Sequence, residues 1–238
     1  MRLRLKALVV VLLVSLFVAV MIPCVYSRYI RGETLYYISK VDNFREENKT
    51  LPRGGVVFVG DSITDFCDLD KFYPGLDAVN RGIAGDVTYG VLRRMEESVY
   101  ALAPRLVVLL IGINDIARAH LPETTLENIR EIISAIRVNC PDTAIIVQSV
   151  YPVNPKWREN YAKRNTPLVK ELNAGIEALA TEFGCTFANI YPYLVGDDGY
   201  LIDEYTKDGL HPNEKGYEVI SSHLRPIIDE VLRADAAI

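Results

Sequence analysis

The chain predicts an α/β fold, a parallel five-stranded sheet with helices on both faces, preceded by an N-terminal membrane helix. Three observations predict it. Short apolar runs without polar alternation recur after residue 55, patterns of helical length separate them, and residues 7–26 hold only Ser15 and Pro23 outside the hydrophobic set. Strand, helix and strand repeated along a chain join parallel strands through crossovers, which lay helices on both faces. Strands buried on both sides have no reason to alternate.

The elements follow in order. Residues 7–26 have the length a helix needs to cross a bilayer. Arg2, Arg4 and Lys6 precede them without an acid, so the N-terminus is expected to stay cytoplasmic and the rest to cross. Residues 1–27 thus read as a signal anchor, or as a signal peptide if cut near Val25-Tyr26-Ser27. Pro23 before Cys24 fits lipidation poorly. The protein is expected outside the cytoplasm, membrane-anchored through 7–26, or secreted if that segment is cut. Residues 28–54 are polar and read as a stalk with a helical piece at 36–48; residues 55–238 form the domain. Strands are expected at 56–59, 78–80, 106–111, 144–150 and 186–188, and helices at 88–100, 124–139, 165–183 and 213–234. Pro212 and Asn213 suit the opening of the last helix.

Composition narrows the function. A formal net charge of -5 argues against nucleic acid as partner, and setting aside Arg2, Arg4 and Lys6 makes the remainder more acidic still. Cys24, Cys67, Cys140 and Cys185 include no CxxC pair and no histidine at ligand spacing, so no zinc site is expected and buried free thiols are.

Ligands of such sheets gather beyond the carboxyl ends of the strands. There the sequence places Gly60-Asp61-Ser62-Ile63-Thr64, Asn80-Arg81-Gly82-Ile83-Ala84-Gly85-Asp86 and Gly112-Ile113-Asn114-Asp115, and before the last helix Asp208-Gly209-Leu210-His211-Pro212. A serine hydroxyl attacks an acyl carbon usefully only when a base removes its proton, and histidine is the usual base. Of the three histidines only His211 has a carboxylate three residues earlier, Asp208; His120 and His223 have Ala117 and Ile220 there. Acyl transfer also needs donors where the oxyanion forms. The amides of Ser62 and Gly85 and the side chain of Asn114 could supply three. Asp61, Asp86 and Asp115, scattered over loops, are expected to bond amides or cap helices rather than hold a metal. Thr64 stands where the α/β-hydrolase elbow has its second glycine.

These blocks closely resemble the SGNH, or GDSL-type, esterase and acylhydrolase family, with Ile63 in place of the usual Leu. Block order and spacing agree over about 56–232. Asn-Arg-Gly-Ile-Ala-Gly-Asp and Asp-Gly-Leu-His-Pro are similar to the branch of platelet-activating-factor acetylhydrolase-like bacterial acylhydrolases. The resemblance implies a three-layer, flavodoxin-like α/β/α sandwich and a serine mechanism without cofactor. It assigns Ser62 as nucleophile, His211 as base and Asp208 as its orienting acid, with Ser62, Gly85 and Asn114 forming the oxyanion hole. The expected substrate is a small-molecule, glycan or lipid ester. A short acyl group, acetyl foremost, on a carbohydrate stands slightly ahead of a lysophospholipid near the membrane. Tyr151, Trp157, Tyr161 and Tyr193 follow the fourth and fifth strands and could form a sugar platform. A non-catalytic membrane-anchored glycan-binding module is the alternative of another class; the intact Ser, Asp and His set argues against it.

Overall fold

The computed structural model describes residues 34–158, 164 and 166–235. The expected membrane helix at 7–26 lies outside these residues, as does Tyr161. Among the described residues no helix is long and apolar enough to cross a membrane. The chain divides into two compact units, 1–40 and 41–238. Of the first, the description covers only residues 34–40, which open helix α1 (Leu35–Glu47).

In the second unit five parallel strands form one sheet: β1 (Val56–Gly60), β2 (Ala78–Gly82), β3 (Leu106–Leu110), β4 (Ala144–Gln148) and β5 (Thr186–Ala188), in the order β2-β1-β3-β4-β5. All five fall on the expected apolar runs. The register aligns Gly60 with both Gly82 and Leu110, so three strand ends finish side by side. Between the strands lie α2 (Ser62–Asp65), α3 (Leu69–Phe72), α4 (Thr88–Arg93), α5 (Met95–Ser98), α6 (Ile113–Ala117), α7 (Pro122–Asn139) and α8 (Thr166–Glu182), and α9 (Glu214–Asp235) closes the chain.

Successive strand side chains point to opposite faces. Val57, Val59, Val107, Leu109, Ile145 and Val147 pack with Ile129, Ile133 and Ile136 of α7 and Leu172 and Ile176 of α8. Val56, Phe58, Leu106, Val108 and Ile146 pack with Leu69 of α3 and Ile220, Leu224 and Ile228 of α9. Both faces are therefore apolar, which is why the strand sequences do not alternate.

One expectation is corrected. The pattern over 88–100 is not one helix: it breaks at Arg94, which separates α4 from α5, and a 3-10 turn follows at Tyr100–Leu102. The second compact unit begins at Val41 and so includes the end of α1. Phe44 of α1 is buried and lies 4.5 Å beneath the Arg81 guanidinium, which also bonds Glu47 and Asn48 Oδ1 (2.8 Å). Cys67, Cys140 and Cys185 are free thiols.

Candidate active site

Ser62 stands where β1 gives way to α2. Gly60 permits that turn, because a Cβ there would lie 2.4 Å from the Leu110 carbonyl oxygen and 2.2 Å from Thr64 Oγ1. Asp61 caps the helix, its Oδ1 accepting from the Ile63 amide at 2.9 Å. Ser62 is the first helical residue, so its amide lies outside the helical hydrogen-bond ladder. Three neighbours pin the short helix: Asn80 Nδ2 donates to the Thr64 carbonyl (2.7 Å), Tyr217 Oη to the Ile63 carbonyl (2.8 Å), and the Ala84 amide to Asp65 Oδ2 (2.8 Å).

His211 arrives from a loop at the far end of the chain. Its Nδ1 lies 2.7 Å from Asp208 Oδ2 and its Nε2 2.9 Å from Ser62 Oγ. An ionised carboxylate only accepts, so the ring proton belongs on Nδ1, and Nε2 is left to accept from the serine hydroxyl. Asp208 is itself held, its Oδ1 accepting the amides of His211 (2.8 Å) and Leu210 (3.1 Å). Burial pushes its carboxyl up, but these amides and the His211 ring outweigh it and leave the pKa below the ordinary aspartate value. The Phe66 ring, half exposed, lies 5.3 Å from the imidazole.

Gly85 and Asn114 come from the neighbouring tips. Gly85 adopts φ +80°, natural for glycine, and nothing lies within 4 Å of where a Cβ would stand. Arg118 Nη2 donates to its carbonyl at 2.8 Å, and among the described residues no acceptor takes its amide. Asn114 is buried; its Nδ2 donates to the Asp86 carbonyl at 3.0 Å, and Arg164 Nη2 donates to its Oδ1 at 3.2 Å. The five residues expected from the sequence thus converge on one sheet edge.

The acids beside them have structural partners. Asp86 pairs through Oδ2 with Arg94 Nε at 2.8 Å, and Asp115 accepts from the Thr88 amide (3.1 Å) and hydroxyl (2.6 Å). Arg94, fully buried, also donates to the carbonyls of Arg81 (2.8 Å) and Gly60 (3.0 Å). Arg94, Arg118 and Arg164 were not expected at the site. Only Arg94 left a signal, as a charge between the apolar Val91 and Met95 of a helical pattern. Of the aromatics, Tyr151 is corrected: it is buried and donates its hydroxyl to Gln148 Oε1 (2.6 Å). Tyr193 stacks on His223 at 3.5 Å. Trp157 is half exposed; its Nε1 donates to Asp203 Oδ1 (2.7 Å), and its side chain abuts Gly209 in the His211 loop.

Asp61 carries a pH prediction. Burial pushes its carboxyl up to about 7, Asp86 and Asp115 add to the rise, and the Ile63 amide and Arg164 oppose it. Its Oδ2 has no hydrogen-bond partner among the described residues. The unfolded chain releases this proton near 3.8 and the folded chain only near 7, so stability present in acid is lost as pH rises through that window. Asp61→Asn keeps an oxygen for the cap and removes the titration. Urea unfolding at pH 5 and pH 8 should show the variant gaining roughly 2–3 kcal/mol on the wild type between the two. An unchanged difference would refute the assignment.

A carboxylate, an imidazole and a serine hydroxyl hydrogen-bonded in series at the carboxyl edge of a parallel sheet are the equipment of a serine hydrolase. The chain belongs to the GDSL-like Lipase/Acylhydrolase family, whose sequence pattern matches residues 58–219. It is an acylhydrolase of the GDSL type, a hydrolase acting on ester bonds. A GDSL-like lipase from Bacteroides thetaiotaomicron superposes with a TM-score of 0.71 at 32% identity, over 80% of this chain and 97% of that one. The chain is also similar to platelet-activating factor acetylhydrolase IB subunit alpha1 of Bos taurus, at 28% identity over 189 residues, 76% of this chain and 77% of that protein. An isoamyl acetate-hydrolyzing esterase 1 homolog of Bos taurus is 27% identical over 203 residues, 74% of this chain and 81% of the relative.

Proposed function

We propose that the protein hydrolyses short acyl esters, acetyl esters foremost, through an acyl-enzyme on Ser62. The observation that carries this is the 2.9 Å approach of His211 Nε2 to Ser62 Oγ, with Asp208 at Nδ1. His211 takes the hydroxyl proton as Oγ attacks the carbonyl carbon, and the carbonyl π pair moves onto oxygen. That oxyanion rests on the amides of Ser62 and Gly85 and on Asn114 Nδ2. The C–O bond to the alcohol then breaks, and His211 returns the proton to the leaving oxygen. A water molecule activated by the same imidazole frees the acid.

Acetyl is favoured because two similar proteins bear acetyl esters in their names, platelet-activating factor acetylhydrolase and an isoamyl acetate-hydrolyzing esterase. Trp157 favours a carbohydrate alcohol: its half-exposed ring stands beside the loop of His211, the residue that protonates the leaving group. Aromatic faces of this kind suit flat apolar surfaces that carry polar edges. The flanking charges of residues 7–26 favour an extracytoplasmic enzyme tethered through that segment. The test is a nitrophenyl ester series from acetate to octanoate beside acetylated sugars and a lysophospholipid. It is run on membrane and soluble fractions of cells expressing the full chain. Acetate is expected to exceed octanoate, with activity in the membrane fraction and on the sugars; preference for octanoate and the lysophospholipid would overturn the substrate reading.

A further inference from the structure

We propose that Arg164 is a positioning residue for the oxyanion hole, holding and polarising the Asn114 amide; this rests on the esterase reading above. An asparagine side chain offers one acceptor and two N–H donors. In Asn114 both ends are engaged: Oδ1 accepts from Arg164 Nη2 at 3.2 Å, and one N–H of Nδ2 goes to the Asp86 carbonyl at 3.0 Å. The amide is therefore fixed against a flip, and its second N–H is the donor that the oxyanion needs. A cationic donor on Oδ1 also draws density from the amide and strengthens its N–H groups, as coupled hydrogen bonds do in a site of low dielectric.

The surrounding charges give Arg164 a second effect in the same direction. The oxyanion forms beside three buried carboxyl groups, Asp61, Asp86 and Asp115. Asp86 is matched by Arg94 and Asp115 accepts from Thr88, whereas the field of Arg164 reaches Asp61 directly. Without the guanidinium, negative charge would develop on the ester oxygen among carboxyl groups that are less well offset. Because the group acts through Asn114, its loss should slow the chemical step and leave the binding of a neutral ester nearly intact.

The experiment is a double-mutant cycle on the full chain with nitrophenyl acetate, using Arg164→Gln, Arg164→Lys and Asn114→Ala, with Ser62→Ala as control and a melting curve for each variant. Arg164→Gln is expected to lower kcat about 10- to 100-fold with KM changed less than about twofold, and Arg164→Lys to recover part of that loss. In the Asn114→Ala background the same Arg164→Gln change is expected to lower kcat by less than about twofold, because the amide through which it acts is gone. An equal loss in both backgrounds overturns the proposal, as does a rise in KM at constant kcat, which would make Arg164 a substrate contact. Loss of melting temperature in Arg164→Gln without partial recovery of kcat in Arg164→Lys also overturns it. Full activity in Ser62→Ala would instead defeat the esterase reading beneath it.

Discussion

Ser62→Ala is expected to lower turnover of nitrophenyl acetate roughly 10⁴- to 10⁶-fold while shifting the melting temperature by no more than about 3 °C. The two effects separate because, among the described residues, the Ser62 hydroxyl makes one hydrogen bond, to His211 Nε2. Its backbone duties in α2 do not need the oxygen, and alanine is a good helix former. His211 keeps its bonds to Asp208 through Nδ1 and its own amide, so the loop should stay in place. Residual hydrolysis above the uncatalysed rate is expected from the remaining oxyanion donors. Rates and melting curves on the same preparation decide the matter; retained turnover would remove Ser62 from the mechanism.

The largest stability effect is expected at Arg94, which no solvent reaches. Arg94→Met preserves much of the side chain's volume but strands the buried Asp86 carboxylate and takes the guanidinium donors from the carbonyls of Arg81 and Gly60, the latter keeping the Ile83 amide. Breaking a buried pair by removing one partner costs about 3–5 kcal/mol. Burial already raises the Asp86 pKa against the pull of Arg94, and without the guanidinium it should rise further. The sign follows: in the variant Asp86 takes up a proton more readily when folded, so the penalty should shrink as pH falls towards the aspartate range and be greatest at neutral pH. Urea midpoints at pH 5 and pH 8 test this. Activity should fall with stability, because Asp86 supplies the carbonyl that holds Asn114 and Gly60 leads into Ser62.

How much of this could be read before the structure varies with the range of the forces involved. The five strands were legible because Val, Ile and Leu runs buried on both faces carry their own signature. Ser62, Gly85, Asn114, Asp208 and His211 were legible because each stands among small or polar residues beyond an apolar element. The short helices α2, α3 and α6 were not, since four or five residues are too few to show a helical period. The break at Arg94 was hidden for another reason. Residues 88–100 carry a continuous helical pattern, and at Arg94 the backbone leaves it (φ -120°, ψ 20°) where the side chain reaches carbonyls of two strands. The partners of Arg81 are likewise 33 and 34 residues away, beyond any local pattern. Arg164 and Arg118 gave no warning, since a loop arginine reads as solvated until its acceptor is known.

The loop that bears His211 is knitted chiefly to itself. Thr206 Oγ1 donates to the His211 carbonyl (2.9 Å) and accepts from the Gly209 amide (2.9 Å), while Asp208 accepts from residues 210 and 211. His211 and Asp208 therefore travel as one preassembled cassette, and Ser62 lies 149 residues away from His211 along the chain. If the loop shifts, the imidazole keeps its tautomer and its carboxylate, and only the distance from Nε2 to Oγ changes. A contact to the outer side of that loop, such as the Asn154 amide on the Gly209 carbonyl (2.7 Å) or Trp157 against Gly209, therefore bears on that distance without touching Ser62 or the imidazole.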